Sequence, residues 1–152
     1  MRSSYRNERG ASAVEFALLA PLIFMLIFGM VEFGLAFLTT QSLRAGVREG
    51  ARQAAVGASA SQVQSAVLTG AAGGLDGSSQ VVTVTGPNGA VSGGGLACSG
   101  TNTLGKNVTV SIDTSNYAAI PPNVVESLSV RIPFVTTVTL HPTISGTFRC
   151  EQ

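Results

Sequence analysis

The stretch Gly10-Ala-Ser-Ala-Val-Glu15-Phe-Ala-Leu-Leu-Ala-Pro21-Leu-Ile-Phe-Met-Leu-Ile-Phe-Gly29-Met-Val-Glu32-Phe-Gly-Leu-Ala-Phe-Leu38 decides how the rest of the chain is read. Residues 16–31 carry no charge, and Glu32 is the only charged side chain between 16 and 38. An apolar run of that length approaches the roughly 20 residues a helix needs to cross a bilayer. We read it as a membrane span. At its N-terminal boundary a leader bearing Arg2, Arg6 and Arg9 meets Gly10, and a carboxylate follows at Glu15. At the hydrocarbon centre that carboxylate would cost about 2.5–3.5 kcal/mol on insertion scales, so it needs a partner or a place near the surface. Cutting the chain after Gly10 would supply a partner. The new cationic α-amino group on Ala11 would lie one helical turn from Glu15 in the same chain, or close to it in a neighbouring one.

The leader and apolar run also suit a secretory signal, but the small residues of such a signal's cleavage site follow its apolar region. Here Gly10-Ala-Ser-Ala precedes it. A signal cut near Thr39 is therefore the weaker reading, and the span is expected to stay in the mature chain.

Outward from the span the helix is expected to continue. Residues 39–57 contain no proline, and Arg44, Arg48 and Arg52 recur every fourth residue as one solvated stripe. Gly46, Gly50 and Ala54 share that spacing two positions on, about 200° around the helix, and form a smooth opposite face. Such a face suits close helix packing, either against another subunit or against the protein's own sheet. Helical throughout, residues 11–56 would reach about 70 Å, with a kink or local opening at Pro21, which cannot donate to the Ala17 carbonyl. Glu32, about 25 Å along the axis from Glu15, falls towards the outer interface, where it either snorkels or pairs with an arginine of another subunit.

From Ser59 the character changes. Ser61 and the apolar positions Val63, Val67 and Leu68 suggest a short capped helix, followed by a Gly-rich linker over 70–79. Residues 81–85, 108–112, 128–132, 134–140 and 144–148 are β-branched and mostly alternating. They predict a three- to four-stranded antiparallel sheet packed on the helix. Pro133 marks an edge or bulge and His141-Pro142 a turn; residues 86–95 are expected as one long loop. The fold class is α+β: a long N-terminal transmembrane helix extended outside the membrane, with a small C-terminal antiparallel β-sheet domain. The divisions are a leader over 1–10, the helix over 11–57, a short helix and linker over 58–79, and a β-rich extracytoplasmic domain over 80–152.

Gly10, the Ala11-Ser-Ala-Val that follows, and Glu15-Phe16 ahead of a retained apolar helix resemble the class III prepilin signal. With Pro21 and the segment from Leu43 to Ala55, residues 9–58 are similar to the TadE-like minor pilins, or pseudopilins, of the tight-adherence (Flp) pilus system. Phe148-Arg149-Cys150-Glu151 resembles the Arg-x-Glu ending of that family. The resemblance implies a pilin-like architecture, cleavage between Gly10 and Ala11 by a prepilin peptidase, and subunit assembly through Glu15 and Phe16. The partners it implies are the membrane, the peptidase, other minor and major pilins, and the assembly platform proteins.

Composition narrows the alternatives. A net charge of +1 with 11% charged residues gives no basic field, so nucleic acid is not expected as a partner. Arginines on both sides of the span leave its orientation open by charge alone. Cys98 and Cys150, an even pair in a small β-rich region, favour a disulfide in an oxidising compartment over two unpaired buried thiols. That puts the N-terminus in the cytoplasm and the C-terminal domain outside; the resemblance implies that the membrane is the bacterial cytoplasmic (inner) membrane, with the surface pilus as a further destination. Two cysteines and the lone His141 make no zinc pattern, and neither metal nor cofactor is expected. The segment from Gly100 to Lys106 has P-loop glycine and lysine spacing, but Asn107 stands where Ser or Thr would bind Mg²⁺. His141 with Asp113 or Asp76 finds no serine in a nucleophile elbow. The chain therefore reads as a non-enzyme: a minor pilin, or alternatively an uncleaved single-pass envelope protein whose outer domain binds a partner without polymerising.

Overall fold

The computed structural model describes residues 5–71, 82–100, 102–113, 129–132, 136–139 and 143–151. Helix α1 covers Tyr5–Ala55 and at 51 residues is about 75 Å long. It runs through Pro21 as a single helix. The helix starts earlier than the span itself, taking in part of the leader.

Its two halves have opposite fates. In the C-terminal half Leu43, Val47, Gly50, Ala51, Ala54 and Ala55 recur at helical spacing and are buried. Arg44, Arg48 and Arg52 stay exposed on the other side. The helix is stopped by Gly57, whose φ of 90° is left-handed. The amide of Gly57 donates to the carbonyl of Ala54 (3.2 Å) and that of Ala58 to Gln53 (3.0 Å), the paired bonds of a Schellman terminus.

Helix α2, Ala60–Gly70, turns back along α1. Its cap is Ser59, two residues before the expected Ser61, because Gln62 completes a reciprocal box with it. The Ser59 amide donates to Gln62 Oε1 (2.9 Å) and the Gln62 amide to Ser59 Oγ (3.4 Å). The remaining first-turn amides find carbonyls nearby: Ala60 donates to Gly95 (2.8 Å) and Ser61 to Gly93 (2.8 Å). The Gly-rich loop thus satisfies a helix end that would otherwise be left to water.

Four strands form one antiparallel sheet in the order β2-β1-β3-β6: β1 Val82–Gly86, β2 Gly89–Val91, β3 Asn107–Asp113 and β6 Thr143–Arg149. Alternation sets the inner face: Val82 and Val84 of β1, Val108, Val110 and Ile112 of β3, and Ile144 of β6 are buried with the α1 and α2 residues in one core. Gly146 belongs to the same face, and a Cβ there would stand 3.0 Å from Val47 Cγ1, so its missing side chain lets β6 lie on α1.

Two expectations about the sheet are corrected. Residues 86–95 are not one loop: Gly86 pairs with Gly89 around a two-residue turn at Pro87-Asn88, and the short β2 supplies the fourth strand. Conversely, β4 Ser129–Ile132 and β5 Thr136–Thr139 pair with each other in a separate two-stranded sheet, and β4 lies against α1. The linker at 72–79, Asp76, Pro133 and His141-Pro142 fall outside the described residues.

Candidate functional site

In the N-terminal half of α1, sixteen large apolar side chains between Val14 and Leu38 are each 47–75% exposed. At roughly 1.5–3 kcal/mol for each such side chain taken fully out of water, leaving this surface wet forgoes on the order of 20 kcal/mol. No packing within the described chain relieves it: the most apolar 18-residue window of this helix is 0% buried, with a mean hydropathy of 2.4. The stalk therefore suits lipid or the apolar stalks of other subunits.

The residues singled out at its start lie where an outside partner can reach them. Gly10, Ala11, Glu15 and Phe16 are all exposed on α1. Among the residues from Gly10 onward whose side chains are described, no ion pair is formed by Glu15 or Glu32.

Glycines divide by the same boundary. A Cβ built on Gly10, Gly29 or Gly34 meets nothing within 4 Å, so packing within the chain does not require glycine there. A Cβ on Gly46 would fall 2.5 Å from the Val67 carbonyl oxygen and 2.8 Å from the Ala71 amide nitrogen, and one on Gly50 would overlap Val67 Cγ2. Gly70 returns the contact, with Gly46 Cα 2.9 Å from where its Cβ would be. The smooth face of Gly46, Gly50 and Ala54 is thus closed inside the chain: α2 fills it at the two glycines, and Ala54 is buried in the shared core. At the two glycines the occupant is α2, a partner that neither alternative left by the spacing, another subunit or the sheet, had named.

On the exposed side, Arg52 donates to both oxygens of Glu49, Nη2 to Oε1 at 2.8 Å and Nε to Oε2 at 3.1 Å, and Gln53 Nε2 adds a third bond at 3.1 Å. Hydrogen bonds from Arg52 and then Gln53 hold the Glu49 carboxyl down at about 2, and Glu49 in turn raises the Arg52 guanidinium. Arg44 and Arg48 have no such carboxylate within 4 Å among the described residues.

Cys98 and Cys150 are bonded, with Cα atoms 5.5 Å apart and a sequence separation of 52. Around the bond, the Cys150 amide donates to the Lys106 carbonyl (2.8 Å), the Gly105 amide to the Cys150 carbonyl (2.9 Å), and the Glu151 amide to the Ala55 carbonyl (3.0 Å). The C-terminal segment is thereby fastened to the end of α1. The P-loop-like segment is part of this clasp: Thr103 is buried, its hydroxyl donates to the Gly100 carbonyl (3.1 Å), and strand β3 follows instead of a helix. A phosphate loop needs a helix N-terminus at that point, and the geometry does not provide one.

The chain matches no curated protein and no solved structure. Residues 10–52, which take in most of α1 from Gly10 onward, match the model of the family described as TadE-like protein, so over that stretch the chain is similar to the TadE-like proteins.

Proposed function

We propose that this protein is a non-catalytic minor pilin, or pseudopilin, acting in assembly of a tight-adherence (Flp, type IVb-like) pilus. A TadE-like protein is associated with that pilus system. The observation that carries the finer reading is the division of α1, whose C-terminal half is built into its own domain while the large side chains of its apolar half stay exposed. A bilayer and a bundle of similar stalks can both cover that surface, so one helix serves before and after assembly.

In this reading a prepilin peptidase cuts between Gly10 and Ala11. The open surroundings of Gly10 support it, since a glycine that costs a helix about 1 kcal/mol relative to alanine meets no packing demand there. The Ala11 amine of one subunit then meets Glu15 of the next and sets axial register, while Phe16 and the apolar face behind it fill the seam. The N-terminus faces the cytoplasm and the disulfide-bonded domain lies outside, where thiols are oxidised.

Intact-mass measurement of the protein from native membranes under non-reducing conditions tests this. A mass beginning at Ala11 and lacking two hydrogens for Cys98–Cys150 is expected, and Gly10→Leu should abolish both processing and piliation. A chain retaining residues 1–10 would leave an uncleaved single-pass anchor. One beginning beyond Leu38 would make the span a discarded signal.

A further inference from the structure

The described surface holds three features that the pilin reading does not use. One is an open groove of mixed lining between α1 and α2, the second is the outer edge of β6, and the third is a pair of joined clefts where the stalk enters the domain. The last carries a ligand of definite chemistry.

A cleft of about 270 Å³ lies between α1 and β6, lined by Arg44, Arg48, Thr143, Ile144 and Ser145. Directly towards the span is a smaller groove of about 140 Å³, lined among the described residues by Phe33, Ala36, Phe37, Thr40 and again Arg44. Residues 33, 37, 40, 44 and 48 follow one another at helical spacing, so the two clefts form a single stripe on α1. Its lower part is apolar and its upper part is cationic with hydroxyls. Asp113 pairs with Thr143 across the register but does not line the cleft. Glu49 is already engaged by Arg52 and Gln53.

The stripe also lies at the right depth. Arg44 is about 9 Å along the axis beyond Leu38, and side chains on a helix lean towards its N-terminus, here back towards the span. The interfacial layer of a bilayer extends roughly 5–7 Å beyond the hydrocarbon on each side. The guanidinium of Arg44 therefore reaches headgroup level while Phe33 and Phe37 remain at acyl level.

We propose that this double cleft binds one anionic phospholipid of the surrounding leaflet. Arg44 and Arg48 grip its phosphodiester, as guanidinium groups do in paired contacts with phosphate. Thr143 and Ser145 supply hydroxyl donors from β6, and the start of an acyl chain lies along the exposed rings of Phe33 and Phe37. Such a lipid fixes the depth and rotation of the stalk and holds the sheet domain at the membrane surface. The proposal rests on the span lying in a bilayer and is independent of cleavage at Gly10.

The test is native mass spectrometry of the full-length chain in non-ionic detergent, titrated with dioleoylphosphatidylglycerol, dioleoylphosphatidylcholine or soluble glycerol 3-phosphate. One phosphatidylglycerol is expected to bind at least about tenfold more tightly than phosphatidylcholine. Arg44→Gln with Arg48→Gln should weaken it about 30-fold, and Arg52→Gln should leave it unchanged. All three arginines are exposed, so these variants keep the fold, and retention of the Cys98–Cys150 bond checks that. Equal binding of the two lipids, undiminished binding by the double variant, or an equal loss in Arg52→Gln would overturn the proposal. Displacement of the lipid by glycerol 3-phosphate at equal affinity would also overturn it, by showing a phosphate site without a lipid requirement.

Discussion

Replacing Gly46 by alanine puts two effects of opposite sign in competition. On a free helix surface the change stabilises by about 1 kcal/mol, because alanine loses less backbone entropy on becoming helical. In this fold the new methyl would stand 2.5 Å from the Val67 carbonyl oxygen and 2.8 Å from the Ala71 amide nitrogen, where real Cβ atoms essentially never come under 3.0 Å. Both obstacles are backbone, so no rotamer change relieves them, and α2 must move off α1 by at least about half an ångström. Overpacking of that kind costs typically 1–3 kcal/mol, and loosening the core that Val63 and Val67 share with α1 adds to it. The expected net effect is a loss of about 1–2 kcal/mol. For a folded part of this size that is a fall of roughly 5–10 °C in the midpoint of thermal unfolding. The stalk will stay helical in detergent, so the informative readout is hydrogen exchange of the α2 amides, Ala60–Gly70, in the full-length oxidised protein. Faster exchange there, with the stalk unchanged, is expected. An α2 protected as well as in the parent, or better, would refute the packing of α2 against Gly46, because only the helix-propensity gain would then be acting.

Reducing the Cys98–Cys150 bond, or replacing both cysteines by serine, should remove about 4 kcal/mol in the chain-entropy model for a 52-residue separation; denaturant midpoints of oxidised and reduced protein measure it. Glu49 should titrate at about 2 by carboxyl NMR in the parent, and in Arg52→Gln its midpoint should climb towards the ordinary 4.5. Because its native value is depressed, the pair stabilises the folded state above the ordinary carboxylate value, and this contribution fades as pH falls from about 4.5 through about 2. An unmoved midpoint in the variant would separate the depression from Arg52.

How far the sequence could be read depended on the reach of the interactions involved. The apolar run at 16–38 needs no tertiary partner to be recognised, because its length against a bilayer is a property of consecutive residues. The strands of the sheet were legible for the same reason, apart from β2. That strand is three residues long, Gly89–Val91, and exists because β1 pairs with it around Pro87-Asn88. Capping by Ser59 was missed because its partner Gln62 sits within a polar stretch that offers Ser61 as an equal candidate. The lipid-facing cleft had no local signal, since Arg44 and Thr143 are far apart in the chain.

The sequence by itself determined that one long helix is apolar along its first half and sided along its second, with Arg44, Arg48 and Arg52 opposite Gly46, Gly50 and Ala54. Periodicity establishes such faces because neighbours on a helix are set by the backbone alone. Only the tertiary structure decided what covers them. The reversal at Gly57 brings α2 back onto the glycines, and strand pairing then lays Gly146 on Val47 and joins Cys98 to Cys150. Contacts of that kind depend on where distant segments meet, and no spacing within one segment contains that information. The large apolar side chains between Val14 and Leu38 stay exposed, and they are the part left for a membrane or another subunit.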